Sequence, residues 1–571
     1  MSSMISSCYR RDLAAALFAC ALFPTTSAAQ QPFAPNAAVD SIFAEYDRTD
    51  SPGCALGVYR DGKIVYTRGY GMADLERRVA IAPHTVFDIG STSKQFTAAS
   101  ILLLAQQGKL SLDDDVRRHI PELPVYSAPI TIRHLLHHTS GLRDYIGLLT
   151  LGGADIDDVT TEEEALAMIA RQKELNFTPG TEHLYSNSGY FLLSVIVERA
   201  SGRSLREFAR EHIFAPLGMT RTHYLGSYDD IVPDRALAYE PKQGGGLRTD
   251  ISRWLQLGDG AVFTTVEELL LWDANFYDPK VGGPSMLTEL QTTATLSDGK
   301  ALTYALGLMV DEYRGRRTVS HGGAWGGYRA ELLRFPEQHF SVATLCNLGT
   351  TNPSALSHRV ADVYLSDVLE ARREAPAGRT ASSGDRVQVP EIILRPIAGT
   401  YRNATTRATR MLVLDGGTLY LVIGGGRYEL APRSATEFAV LGAPVEISIA
   451  IEPPAAGAPR RMRWMASGQE PLAFEQIELV TPTAAELATY AGSYFSDELE
   501  TTHTIALEDD KLVLQRRGAD SQTLRPLTRD EFAIGSMTVR FVRDERDVVT
   551  GYQLDLGRIR NLRFQRVSEE R

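Results

Sequence analysis

The chain has 571 residues, more than one hydrophobic core accommodates, so two to four domains are expected. Its composition, 43% apolar and 23% charged, excludes the disordered and collagen-like classes. A formal charge of −12 disfavours nucleic acid as a partner.

In chain order, the first feature is a targeting segment at 1–29. Arg10 and Arg11 precede the apolar run LAAALFACALF (13–23), which is too short to span a bilayer, and TTSAA supplies small residues for cleavage. This is the pattern of a secretory signal peptide. Its removal would leave the rest of the chain one unit more acidic, since it carries Arg10, Arg11 and Asp12. No later stretch is long and apolar enough for a membrane span, so an exported, periplasmic or secreted protein is expected. Cys54 and Cys346 lie in the strand-like runs GCALGVY and FSVATLCNL. They are read as two buried thiols, with a disulfide left open for an oxidising compartment. No HExxH or paired CxxC occurs, so no metal is expected.

ALGVYRDGKIVYTRGYG (55–71) predicts two strands around a turn at Asp61-Gly62. FDIGSTSKQFTAASILLLAQQGKL (87–110) predicts a helix preceded by Gly90 and ended by Gly108, its first turn holding Ser91, Thr92, Ser93 and Lys94. Residues three apart share a helix face, so Ser91 and Lys94 are neighbours. Unpaired N–H groups and the positive dipole end at this turn suit a nucleophile whose product is an oxyanion. Serine needs a base, and a lysine whose charge is disfavoured by the apolar body AASILLLA can serve as one. The four letters alone are weak: Ser297-Asp-Gly-Lys300 also matches, but in a turn with neither helix end nor apolar wall.

EEEALAMIARQ (162–172) and GYFLLSVIVERASG (189–202) predict helices, the second capped by Gly202. Tyr185-Ser186-Asn187 lies in the loop running into that second helix. A phenol there can relay a proton to a leaving group, and the amide can hold Lys94 and a substrate carbonyl. Tyr401-Arg402-Asn403 repeats the YxN spacing, so this pattern is also weak alone. ALTYALGLMVD (301–311), TVSHGG, YRAELLRFP and FSVATLCNL predict late strands. His321-Gly322-Gly323 is the chain's one HxG, among glycines that let backbone approach a ligand closely. Early strands, a helical middle and late strands predict an α+β (α/β sandwich) domain over 35–371, its terminal strands sharing one sheet.

REAPAGRTASSGDRVQVP marks a linker, placed at 372–390. Beyond it the chain repeats. IAGTY (397–401) recurs as YAGSY (490–494), LDGGTLYL (414–421) as LEDDKLVL (507–514), and LAPRSATEF (430–438) as LRPLTRDEF (524–532). Three matches in order at a near-constant offset define two homologous units, 391–481 and 482–571. Each is rich in alternating segments and polar turns, which predicts a small antiparallel β-barrel.

SxxK, then YxN, then HxG, with the flanking stretches FDIGSTSKQFTA and LLHHTSGL (135–142), make the first domain resemble the penicillin-recognising serine hydrolases. These include class C β-lactamases, D-alanyl-D-alanine carboxypeptidases, D-aminopeptidases and esterase relatives. The resemblance implies an antiparallel sheet flanked by helices plus a helical subdomain. It implies Ser91 as nucleophile of an acyl-enzyme, Lys94 and Tyr185 sharing base and acid work, and Asn187 positioning substrate and lysine. His321 joins the catalytic set where most β-lactamases of the family carry lysine. Gly322 and Gly323 bring up Ala324, whose backbone N–H forms an oxyanion hole with that of Ser91. No cofactor is implied.

A histidine with an ordinary pKa near 6.5 is mostly neutral at pH 7, so weak hydrolysis of penicillins and cephalosporins is expected. Relatives with His-Gly-Gly here include D-aminopeptidases, which also carry two C-terminal barrels. The linker and the two repeats, lipocalin-like in this reading, match that plan over nearly the whole chain. The signal peptide departs from it, since the D-aminopeptidase type is usually cytoplasmic. The expected activity is amide or ester hydrolysis, foremost on D-amino-acid-containing peptides, peptidoglycan-derived ones among them. A small-ester esterase or weak β-lactamase is the alternative. A non-hydrolytic peptidoglycan- or lipid-binding protein is the alternative of another class.

Overall fold

The computed structural model describes residues 36–155, 157–242, 244–371, 387–423, 426–441, 447–454, 458–466 and 471–567. The signal segment and most of the linker lie outside these. Cys54–Arg60 (β1) and Lys63–Tyr70 (β2) form a hairpin whose turn residues Asp61 and Gly62 both have positive φ, 51° and 70°. That is the turn whose twist matches paired strands. Met309–Tyr313 (β3), Arg316–Trp325 (β4), Tyr328–Phe335 (β5) and Phe340–Cys346 (β6) follow late in the chain. They close with the hairpin into one antiparallel sheet, ordered β3-β4-β5-β6-β1-β2. First and last strands therefore share a sheet, as the sequence predicts.

β1 and β6 are buried at almost every position rather than alternately, because helices cover both faces. In β6, Ser341 donates to Asp273 of the helix Val266–Asn275, whereas Thr344 meets Ser357 of the helix Pro353–Tyr364. Positions 341 and 344 point to opposite faces of a strand, so the two helices sandwich the sheet. Cys54 and Cys346 face each other in register and form a disulfide, which corrects the reading as free thiols.

Two further expectations shift. The helix read over 87–110 is shorter and preceded by other structure. Phe87–Asp88 pairs as a strand with Val262–Thr264, Gly90–Ser93 is a 3-10 turn, and the α-helix runs Lys94–Gln106. Gly90 has φ +48°, which a continuous helix cannot contain. In the stretch 301–311 only residues from Met309 onward form strand. The segment before it is a loop, with Gly307 at φ +70°. A side chain on Gly307 would meet the Lys94 backbone at 2.7 Å, so this loop is pressed against the start of the Lys94–Gln106 helix.

Both repeats are closed antiparallel barrels of eight strands, spanning Gly399–Arg402 to Leu472–Ile477 and Gly492–Ser496 to Ile559–Val567. Equivalent residues do equivalent work. Tyr401 donates to the Ile397 carbonyl at 2.8 Å and Tyr494 to the Tyr490 carbonyl at 2.6 Å. Each barrel is preceded by a short helix not evident in the sequence, Glu391–Leu394 and Ala484–Ala488. Their Leu394 and Leu487 are buried. The first barrel keeps its own core, whereas the core of the second runs into that of the first domain. Among the described residues no helix is long and apolar enough to cross a membrane.

Candidate active site

Ser91 ends up beside Lys94 because the 3-10 turn stacks residues three apart. Lys94 is fully buried, and its Nζ lies 3.0 Å from Ser91 Oγ. The same Nζ donates to Asn187 Oδ1 at 3.0 Å and to the Asp259 carbonyl at 2.6 Å. The two carbonyl oxygens only accept, so the Ser91 hydroxyl is the one of these partners that can give a proton to Lys94. That arrangement builds a proton acceptor at the nucleophile.

Asn187 opens the helix Asn187–Ser201, and its backbone N–H donates to Asp144 Oδ2 at 2.8 Å. A carboxylate at a helix N-terminus is favoured by the dipole, so Asp144 fixes where this helix begins. Tyr185 sits between two cations, 4.9 Å from Lys94 Nζ and 4.6 Å from the Arg558 guanidinium carbon to the ring centroid. It also packs against His138, with ring centroids 4.1 Å apart, and more loosely against Tyr304 and His321 at 6.1 and 6.3 Å. Among the described residues the Tyr185 hydroxyl has no hydrogen-bond partner, which leaves it for a substrate.

β4 carries the third motif. A side chain on Gly323 would meet the Ile89 carbonyl oxygen at 1.8 Å, and one on Gly90 would meet Ala324 N at 2.7 Å. Thr92 Oγ1 donates to the His321 carbonyl at 3.0 Å. The strand thus lies directly on the serine turn, bringing the backbone at Ala324 beside that at Ser91. His321 is buried, with Nδ1 2.6 Å from the Gly322 carbonyl and Nε2 3.0 Å from Tyr304 Oη. A carbonyl only accepts, so the proton is on Nδ1 and Tyr304 donates to Nε2. Burial, helped by the Lys94 charge, pushes the His321 pKa down to about 4, so the ring is neutral at pH 7. It makes no hydrogen bond to Ser91, Lys94 or Tyr185 among the described residues.

All eight residues singled out in the sequence gather around one cleft of about 1350 Å³ or, for Lys94, directly behind its wall. Both near-matches lie on its rim. Asp298 and Lys300 line the cleft from their turn, and Asn403 lines it from the first barrel. Neither set touches Ser91.

A family model described as Beta-lactamase matches residues 39–365, more than half of the chain and all eight residues singled out in the sequence. The chain belongs to the beta-lactamase family. It is a serine hydrolase of that fold. A D-aminopeptidase of Gluconobacter oxydans is 28% identical over 547 residues, covering 93% of this chain and 98% of the relative. A D-aminopeptidase of Brucella anthropi is 33% identical over 301 residues, covering 52% of this chain and 56% of the relative. Among solved structures, an octameric penicillin-binding protein homologue from Pyrococcus abyssi superposes with TM-score 0.54 at 24% identity, covering 76% of this chain and 99% of its own. A D-amino acid amidase from Ochrobactrum anthropi does so with TM-score 0.50 at 22% identity, covering 58% and 99%. At these identities the structural matches speak to fold.

This beta-lactamase-family site contains residues that the motifs do not reveal. Tyr304 comes from the loop read as strand, and nothing in its sequence context marks it. The Asp259 carbonyl holds Lys94, while its side chain, accepting from Tyr145 at 3.1 Å, is pushed up to about 7 by burial against the opposing pull of Lys94. His138 stands in the quoted stretch LLHHTSGL. Its Nδ1 accepts from Ser186 N–H at 3.2 Å, and burial holds its pKa well below the usual range. Arg558 and Arg560 reach the cleft from the second barrel, which no local pattern announces.

Proposed function

We propose that this enzyme is an exported hydrolase that forms an acyl-enzyme on Ser91 and cleaves amide bonds in D-amino-acid-containing peptides. The observation that carries the reading is the bonding of Lys94, held by two carbonyl oxygens with Ser91 Oγ as its third partner at 3.0 Å. Lys94 takes the Ser91 proton as Oγ attacks the substrate carbonyl. The oxyanion sits between the N–H groups of Ser91 and Ala324. Tyr185 and Lys94 pass the proton to the leaving amine, and water then releases the acyl group. The D-aminopeptidase of Gluconobacter oxydans, aligned over 93% of the chain, supports the D-amino-acid preference. The pattern of residues 1–29 supports export, as does the Cys54–Cys346 disulfide, which persists in oxidising compartments.

Neutral His321 supplies no positive charge at the position where most β-lactamases of the family carry lysine, which supports slow turnover of penicillins. The test is a substrate panel run beside Ser91→Ala: D-alanine p-nitroanilide, D-alanyl-D-alanine, nitrocefin and p-nitrophenyl acetate, together with fluorophosphonate labelling read by intact mass. Labelling at Ser91 with fastest turnover of a D-configured amide is expected. Fastest turnover of the ester would make the enzyme an esterase. Absence of both labelling and turnover would leave a binding protein.

A further inference from the structure

The cleft has a wall that belongs to neither the sheet nor the helical subdomain. The hairpin of the second barrel joining Val549–Leu556 to Ile559–Val567 turns at Gly557, φ +51°, and puts Arg558 at the mouth of the site. The hairpin is held rigidly. Ile559 is 1% exposed, and its Cδ1 lies 2.8 Å from where a side chain on Gly147 would begin. Asn176 clamps the backbone on both sides, donating to the Arg558 carbonyl at 2.9 Å and accepting from Arg560 N–H at 2.7 Å. Arg143 donates to the carbonyls of Arg560 and Asn561 and forms a fully buried ion pair with Glu498 at 2.6 Å.

The two arginines on this hairpin differ. Arg560 is mostly buried and spent on Glu182 at 3.0 Å. Arg558 has nearly half its side chain exposed, has its guanidinium carbon 4.6 Å from the Tyr185 ring centroid, and makes no side-chain hydrogen bond among the described residues. Its nearest acid is Asp144 at 3.5 Å, whose Oδ2 already accepts from Asn187 N–H. A planar guanidinium with unused donors, fixed in place beside a catalytic phenol, matches a carboxylate that can take two parallel hydrogen bonds.

We propose that Arg558, supplied by the second barrel, makes the enzyme selective for substrates that carry a carboxylate near the scissile amide. This rests on the hydrolase reading above. The carboxylate can belong to the leaving group, as at a peptide C-terminus, or to the side chain of the acyl residue. Two substrate pairs separate the sources: D-alanyl-D-alanine against D-alanyl-D-alaninamide, and D-aspartyl against D-asparaginyl p-nitroanilide. In the wild type, kcat/KM for the carboxylate member exceeds that of its neutral partner by about tenfold or more in one pair, the size expected for a charge-assisted hydrogen bond. Arg558→Ala brings that ratio near one, Arg558→Lys keeps part of it, and Arg558→Glu inverts it. A wild-type ratio near one in both pairs, or a preference that survives Arg558→Ala, overturns the proposal. If nothing is hydrolysed, the hydrolase reading fails separately. Calorimetric binding of the same pairs to the Ser91→Ala protein then decides the carboxylate preference, with equal affinity for acid and amide counting against it.

Discussion

At the scale of single residues, the site depends on how few partners Lys94 has. Its three hydrogen-bond partners among the described residues are Ser91 Oγ, Asn187 Oδ1 and the Asp259 carbonyl, and of these only the first can give up a proton. Lys94→Ala should therefore lower kcat by about 10³-fold while leaving KM within a few-fold, since general-base loss strikes the transition state. Steady-state kinetics on the best amide of the panel, with circular dichroism to confirm folding, checks it. A KM effect as large as the kcat effect would make Lys94 a binding group instead. The Ser91–Lys94 neighbourhood was legible in the sequence, because a spacing of three places residues together in either helix type. The Asp259 carbonyl and Tyr304 were not. A backbone oxygen has no residue signature, and Tyr304 sits in a loop whose apolar letters imitate a strand.

At the scale of elements, the strand carrying His321 presses on the serine turn so closely that glycine is a steric requirement. Gly323→Ala would place a methyl 1.8 Å from the Ile89 carbonyl oxygen, which is backbone and has no rotamer to escape into. The strand must move, at a cost of about 1–3 kcal/mol as for other overpacked sites. Urea unfolding should show that loss, together with an activity loss larger than stability accounts for.

His503 is a second element-level case. It is buried where the second barrel meets the catalytic domain, with Nε2 3.2 Å from the Leu151 carbonyl and Nδ1 2.8 Å from Tyr552 Oη. Burial pushes its pKa down to about 4. The unfolded chain takes this proton below about 6.5 and the folded chain only below about 4, so stability is lost as pH falls between those values. One such group accounts for at most about 1.4 kcal/mol per pH unit. Buried carboxyls act oppositely. Asp88 is pushed up to about 6, and Glu162, Asp259 and Glu331 to about 7, so each costs stability as pH rises toward 7. Comparing His503→Gln with the wild type isolates the histidine. The variant should lose less stability between pH 6.5 and 4 in thermal unfolding, and an unchanged slope would refute the assignment.

At the scale of the whole molecule, the two repeats have diverged in use although they share a fold. The second barrel is welded to the catalytic domain through a continuous apolar core and the Arg143–Glu498 pair, both side chains at most 3% exposed. Glu498→Ala leaves Arg143 buried without its counter-charge, and such losses cost about 3–5 kcal/mol. It should also slacken the hairpin that presents Arg558, because Arg143 holds that hairpin's backbone. Differential scanning calorimetry together with kcat/KM on a carboxylate substrate measures both effects. A stability loss with the substrate ratio intact would separate the weld from the hairpin.

The sequence by itself determined the serine-hydrolase class and the modular plan. Motif spacing follows from local geometry, and a repeat is visible as self-similarity whatever its fold. Sheet composition was readable in part, since the early hairpin and the late strands stand out as strand-like runs at the two ends of the domain, and β1 and β6 are buried at almost every position. Contacts between distant segments were decided only by the tertiary structure. The Cys54–Cys346 bond depends on strand register, the state of His321 on how deeply β4 is covered, and the reach of Arg558 on how the second barrel docks. Register, burial and docking are properties of packed surfaces, and no stretch of the chain carries them alone.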